Sequence, residues 1–358
     1  MLTIKDKVYG CLIGGAVGDA LGRTTEGMMY WEIRKKYGVF TEMIDEGFYK
    51  DGKAGEWTDD TTLSSYIVWK FIQKKARLTA DDFADVILSK LDPNRFWVNE
   101  KLIKERLYWG VAPWDAGIGG IACGCAAMGI APIGLMNASN PEQAYQDGMC
   151  IASVNSSGEN RDMGAMFACS IASALKEEAT IDSVIDDIYR HGNYIVKRAV
   201  ELTMDLAAQS TDTDDFTERF YAKLADPFYP QPKGLWKKDR FFSANGREYV
   251  PVSYALIKLC GKDLTRAITA GANFGRDCDS IASLTGQIGG ALYGGKSIRN
   301  DWITLVDKQN APFLQELYSD TCVASMKDVS DRFYTAMKEA AAKEAVHYNR
   351  LFEILNNA

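Results

Sequence analysis

The segment Gly10-Cys11-Leu12-Ile13-Gly14-Gly15-Ala16-Val17-Gly18-Asp19-Ala20-Leu21-Gly22 decides the class of fold. Its glycines at 10, 14, 18 and 22 recur every fourth residue, so on a helix they fall along one side and leave it bare. A second helix backbone can approach closely along that side, and packing alone is a sufficient reason for such a pattern. Helical spacing continues down the chain, in Leu63, Ile67 and Phe71 and again in Ile281, Leu284, Ile288 and Leu292. Alternating, strand-like patterns are hard to find. The expected fold class is therefore all-α, a single compact helical domain over residues 1–358. The stretch from Asp328 to Leu355, rich in Ala, Lys and Glu, reads as one long amphipathic helix closing that domain.

A chain of 358 residues with 47% hydrophobic content can bury an extensive core. Its 41 basic and 48 acidic residues give a formal charge of −7, and no run of Lys or Arg is placed to track a phosphate backbone. Nucleic acid is not an expected partner. The apolar stretch from Val8 to Leu21 carries four glycines and Asp19 and lacks a cleavage pattern, so it reads as a core helix and not as an export signal. No later run reaches the roughly 20 apolar residues of a membrane span, and no membrane partner is expected. The eight cysteines are scattered; Cys123 with Cys125 and Cys278 with Cys322 have neither zinc-ribbon nor small-domain disulfide spacing. Reduced thiols in the cytoplasm are the simplest expectation, and the sequence leaves the oligomeric state open. The most loop-like region is 226–247, where Pro227, Pro230, Pro232 and Gly234 break any helix among several aromatics. It reads equally as a lid or as a surface loop tucked down by those aromatics.

Two acidic clusters carry the chemistry. In Glu56-Trp57-Thr58-Asp59-Asp60-Thr61 the carboxylates run directly into the apolar helix from Leu63 to Ile72. Taken singly, such a motif is explained by helix capping and by the favourable end of the helix dipole. In Gly275-Arg276-Asp277-Cys278-Asp279-Ser280 a second D-x-D-S sits at the start of another helix, this one with Gly286, Gly289 and Gly290. Carboxylates and hydroxyls converging from two helix starts form an all-oxygen cage, the ligand set preferred by Mg²⁺, Mn²⁺ or Ca²⁺. Carboxylates crowded together repel unless cations neutralise them, so a pair of divalent ions is the natural complement.

These segments, with Glu26 after the glycine-rich helix, Ala131-Pro132-Ile133-Gly134, Asn273-Phe274 and Tyr293-Gly294, resemble the ADP-ribosylglycohydrolases, a family that includes the enzyme reactivating dinitrogenase reductase. The resemblance runs in order from about residue 8 to about residue 295, and the combination of T-D-D with D-x-D-S is specific. It implies an orthogonal helical bundle with a cleft for two Mg²⁺ or Mn²⁺ ions, held by Thr58, Asp59 and Asp60 from one side and Asp277, Asp279 and Ser280 from the other. It further implies hydrolysis of an N- or O-ribofuranosidic bond, removing ADP-ribose from a protein side chain or small acceptor, with Glu26 and Asp60 as catalytic residues. As a bare sequence feature, Glu26 is equally a helix-end carboxylate.

Two departures fall where the substrate wall is expected. Many relatives place a histidine after A-P-x-G, but residues 152–162 contain none, and Asn155 and Ser156 occupy that place. The arginine often found before A-P-x-G is replaced by Met128-Gly129-Ile130. A smaller ribosyl or nucleoside-like glycoside is thus an alternative substrate. Asp115, Gly117 and Gly119 are expected to line the cleft, although Asp115 also reads as a turn residue. With only His191 and His347, both in helical segments, a Ser-His-Asp or Cys-His hydrolase is not expected, and a histidine-rich two-metal phosphohydrolase ranks lower. A catalytically inert relative is the remaining alternative, against which the intact acidic clusters argue.

Overall fold

The computed structural model describes residues 2–47, 51–225 and 245–356. The first helices are α1 (Ile4–Gly22), α2 (Tyr30–Tyr37), α3 (Asp59–Lys74), α4 (Ala80–Lys90), α5 (Val98–Tyr108), α6 (Cys125–Gly129), α7 (Ala131–Met136), α8 (Pro141–Asn155) and α9 (Gly158–Ala174). They are followed by α10 (Ile181–His191), α11 (Tyr194–Ala208), α12 (Thr213–Phe220), α13 (Gly246–Cys260), α14 (Leu264–Phe274), α15 (Cys278–Tyr293), α16 (Asn300–Tyr318) and α17 (Met326–Asn356). Among the described residues there is no β-strand, only a lone antiparallel bridge between Met29 and Gly275. The all-α expectation holds.

The centre is the pair α1 and α15, whose contact is the most extensive in the fold. Every residue of α1 from Gly10 to Gly22 is buried, as is every residue of α15 from Cys278 to Leu292. Neither helix presents a polar face, the signature of an element enclosed on all sides. The glycines set their spacing. A Cβ on Gly14 would lie 2.2 Å from the Gly286 carbonyl oxygen, one on Gly286 would lie 1.9 Å from that of Gly14, and one on Gly18 would lie 2.1 Å from that of Ala282. The backbones therefore touch where side chains would normally separate them. Helix α14 packs against both members of the pair and α13 against α15, while α8 and α9 form a second layer with α6 and α7.

Of the loop expected over 226–247, residues 226–244 lie outside the described residues. Its last part is helical: the Asn245 side chain accepts from Arg247 N at 2.9 Å and caps α13, which begins at Gly246. The tail is a single helix as expected, but only its first half closes the fold. Met326, Val329, Phe333, Ala336, Met337 and Ala340 are buried, whereas every residue from 341 to 356 is exposed. The amphipathic pattern continues past the end of the surface that covers it. Among the described residues no helix is long and apolar enough to cross a membrane.

Gly286→Ala drives a methyl into the Gly14 backbone, whereas Gly15→Ala meets only the Gln287 side chain, at 2.7 Å. Overpacking a rigid contact costs about 1–3 kcal/mol or more. The urea midpoint of Gly286→Ala is expected to fall well below that of Gly15→Ala, and equal midpoints would contradict this account of the central pair.

Candidate active site

The two acidic clusters meet at the N-termini of α3 and α15. Oxygens of Asp59, Asp60 and Asp279 lie within 4.8 Å of one another, and all three residues are buried. Two hydrogen bonds cross between the helices: Thr58 Oγ1 donates to Asp279 Oδ2 at 3.2 Å, and Ser280 Oγ donates to Asp60 Oδ2 at 3.3 Å. Asp277 is buried beside Asp279 but is not one of the close trio.

Capping explains only part of this arrangement. Thr58 caps α3, its side chain accepting from Asp60 N. Asp277 occupies the N-cap of α15 yet makes no side-chain cap bond, and Asp60 Oδ1 is buried with no hydrogen-bond partner. A buried, unpaired carboxylate oxygen is costly, and a hard cation is the complement such an oxygen lacks. The donor set of Thr58, Asp59, Asp60, Asp277, Asp279 and Ser280 is all oxygen and suits Mg²⁺ or Mn²⁺.

Electrostatics point the same way. Burial pushes the pKa of Asp59, Asp60 and Asp277 well above the usual carboxylate range. The neighbouring charges add to the rise, Asp279 acting on all three and Glu100 on Asp59 more strongly than Asp279 does. Glu26 lies in the turn after α1, half-buried, with Oε2 lacking a partner. Burial again leads the rise in its pKa, followed by the charges of Asp279, Asp277, Asp59 and Asp19. It therefore belongs to the same charge cluster, and this location sets it apart from an ordinary helix-end carboxylate.

The other candidates occupy a second cluster. Gly117 is buried against the end of α8, its N–H donating to Ser153 O at 3.2 Å, and a Cβ there would fall 2.5 Å from Ser156 O. Asn155 ends α8 and donates from Nδ2 to Cys125 O at 3.1 Å; its Oδ1 and the Ser156 Oγ are buried without partners. Gly119 is exposed in the left-handed region at φ +74°, and Asp115 is exposed in the short turn Pro113–Asp115. Gly117, Asn155 and Ser156 thus come together, while Asp115 and Gly119 lie on the surface beside them.

A family model described as ADP-ribosylglycohydrolase matches residues 1–341. The chain belongs to the ADP-ribosylglycohydrolase family. An uncharacterised protein of Archaeoglobus fulgidus is 27% identical over 323 residues, covering 88% of this chain and 95% of that one. The ADP-ribosyl-dinitrogen reductase glycohydrolase of Rhodospirillum rubrum is 42% identical over 62 residues, 17% of this chain and 21% of that one. A solved structure described as an ADP-ribosylglycohydrolase-related protein complex superimposes with a TM-score of 0.66 at 19% identity, covering 94% of this chain and all of that one. That last likeness establishes the shared fold.

Sequence reading missed the residues that hold the cluster in place. Asp19 accepts from Thr58 N at 2.9 Å, Thr61 N at 2.9 Å and Thr61 Oγ1 at 2.6 Å, so a carboxylate on α1 anchors the first turn of α3. Its signal was present, a lone acid inside an apolar glycine helix. Arg276 takes a positive φ of +65°, is buried, ion-pairs with Glu248 and lies 4.6 Å over the Tyr221 ring. Its N–H donates to Met28 O at 2.6 Å, fixing the turn that delivers Asp277 and Asp279. Glu100, buried on α5 near Asp59, carries no sequence signal at all.

The folded-state pKa values of Asp59, Asp60 and Asp277 are raised, and that of Asp19 is about 6, chiefly through burial. Groups shifted upward favour the folded state fully only below their unfolded pKa of about 4, and that contribution is lost as pH rises through the folded value. Protein stripped of cations is expected to melt several degrees lower at about pH 7.5 than at about pH 5.5. Millimolar Mg²⁺ or Mn²⁺ should restore the lost stability at the higher pH. A melting profile in chelator that climbs steadily across this range would refute the electrostatic reading.

Proposed function

We propose that this chain is a binuclear Mg²⁺- or Mn²⁺-dependent glycoside hydrolase that cleaves an N- or O-ribofuranosidic bond, releasing ADP-ribose from a protein side chain or small acceptor. The observation that carries the reading is the buried trio of Asp59, Asp60 and Asp279, with Asp60 Oδ1 unpaired, inside a family fold. Family membership supports glycohydrolase chemistry on ADP-ribosylated substrates, and the name of the Rhodospirillum rubrum relative agrees with it. Divalent cations held by Thr58, Asp59, Asp60, Asp277, Asp279 and Ser280 would supply Lewis-acid charge for gathering sugar hydroxyls and activating water.

The chain's own residues have separate tasks in this scheme. The close trio provides carboxylate oxygens near which positive charge would develop on the ribose ring as its C1 bond breaks. Glu26, whose pKa is raised by burial and by the carboxylates around it, is suited to give a proton to the departing acceptor atom or to take one from water once cations relieve the local charge. Asn155 Oδ1 and Ser156 Oγ, buried and without partners, are the atoms assigned here to accept from hydroxyl or amide donors of the substrate.

A second reading, a smaller ribosyl or nucleoside-like substrate, is favoured by two departures from the family's sequence pattern. Asn155 and Ser156 stand where many relatives have a histidine, and Met128-Gly129-Ile130 stands where an arginine is frequent. Neither replacement supplies a cation for a pyrophosphate. Assays of ADP-ribosyl-arginine, ADP-ribosyl-serine and simple nucleosides with Mg²⁺ or Mn²⁺ separate the two readings. On the compound that is turned over, Asp59→Asn and Asp279→Asn should each cost more than the roughly 10–100-fold typical of losing an outer partner of a metal site. Glu26→Gln should lower kcat by about 10²-fold or more while cation-induced thermal stabilisation is kept. Full activity in both Asp variants would dismiss the assignment, and unchanged turnover in Glu26→Gln would remove Glu26 from the mechanism.

A further inference from the structure

The second half of α17 is unlike the rest of the fold. All residues from 341 to 356 are exposed, and the family model reaches only residue 341. Solvent-exposed helix is normally polar, yet Val346, Tyr348, Phe352, Ile354 and Leu355 are 70%, 64%, 70%, 57% and 68% exposed. Three of them, Tyr348, Phe352 and Leu355, share one side of the helix, while Val346 and Ile354 lie on the other, near Arg350. Ala341, Ala345, Tyr348, Phe352 and Leu355 follow one another at intervals of four, three, four and three residues, the spacing that keeps one seam facing a partner helix. The charged residues Lys343, Glu344, Arg350 and Glu353 lie off that seam and cancel in number. An electrically balanced helix has no bias towards anionic lipid or nucleic acid, and it does not add to the repulsion between two chains of charge −7.

We infer that this exposed half-helix is a self-association surface, pairing antiparallel with the same segment of a second copy of the chain. In the register centred near Arg350, Tyr348 lies opposite the partner's Phe352 and Ala345 opposite the partner's Leu355. Large side chains then meet a ring in the middle and a small alanine towards each end, the alternation that fills a seam without voids. Antiparallel pairing sets the helix dipoles in opposition and places the two globular bodies at opposite ends of a rod of about 24 Å, where their like charges are separated. A parallel pair would crowd both bodies at one end. Two aromatic side chains of roughly 150–250 Å² each, 64% and 70% exposed, and Leu355 with Leu351 at the edge give each copy a few hundred Å² of apolar surface, so the pair stands near the lower limit of about 1,000 Å² for a specific interface. Association is therefore expected to be reversible and concentration-dependent.

Sedimentation velocity of the 358-residue chain across about 1–100 μM tests this, a range matched to an interface of that size. The expected result is a shift from monomer to dimer over the series, lost in Phe352→Glu/Leu355→Glu and kept in Arg350→Ala, which changes a residue on the far side of the helix. Because the altered residues are exposed, all three proteins should share one melting temperature, so loss of the dimer reports on the seam and not on the fold. A chain that stays monomeric across the series, or a dimer that survives the double glutamate variant, overturns the inference. Flotation of the monomer with phosphatidylcholine/phosphatidylglycerol vesicles, abolished by the same variant, would also overturn it in favour of a membrane role.

Discussion

Everything at the candidate site depends on how closely two helix backbones approach each other. Where Gly14 meets Gly286 and Gly18 meets Ala282, α1 and α15 come together without intervening side chains. The contact continues to Gly22, where a Cβ would stand 2.3 Å from Cys278 O and 2.5 Å from Asp279 Cα. The glycine seam thus ends on the very turn that carries the second acidic cluster. Asp19, three residues back on α1, grips the first turn of α3 through Thr58 and Thr61. One helix therefore positions both clusters, α15 by direct contact and α3 by hydrogen bonds. Distances between carboxylates separated by more than two hundred residues are set by a handful of backbone contacts.

Local features of the chain are legible in its sequence, and long-range contacts are not. The glycine spacing and the two D-rich helix starts were legible because each is local, a matter of periodicity or of adjacent residues. That Asp59, Asp60 and Asp279 share a site followed from their chemical similarity and from the resemblance to a known family. The supporting residues were illegible for a physical reason. Arg276 looks like any charged residue in a loop, and only the fold reveals that it is buried against Glu248 and Tyr221 in a left-handed backbone conformation. Glu100 looks like a solvated helix residue, and only tertiary packing turns it inward towards Asp59. The tail shows the opposite case. Its amphipathic pattern specifies a long helix, and the helix forms, but periodicity specifies that a face seeks a partner, not that the partner belongs to the same body.

A site of this kind works against the stability of its own fold. Crowded carboxylates in a dry interior raise one another's pKa, so near neutral pH the protein either keeps protons on them or holds charges that repel. Arg276 and Glu248 do not relieve this, because they form a buried ion pair of their own and hold a strained turn, which typically costs about 1–3 kcal/mol. The compensation comes from the buried apolar side chains of α1, α15 and the layers around them. Separating the two functions in this way, with packing along the helices and charge at their ends, lets the fold tolerate an unsatisfied acidic end that cations and substrate would complete. The binding free energy of those ligands is then larger than it would be at a relaxed site, since binding also removes a repulsion that folding alone leaves in place.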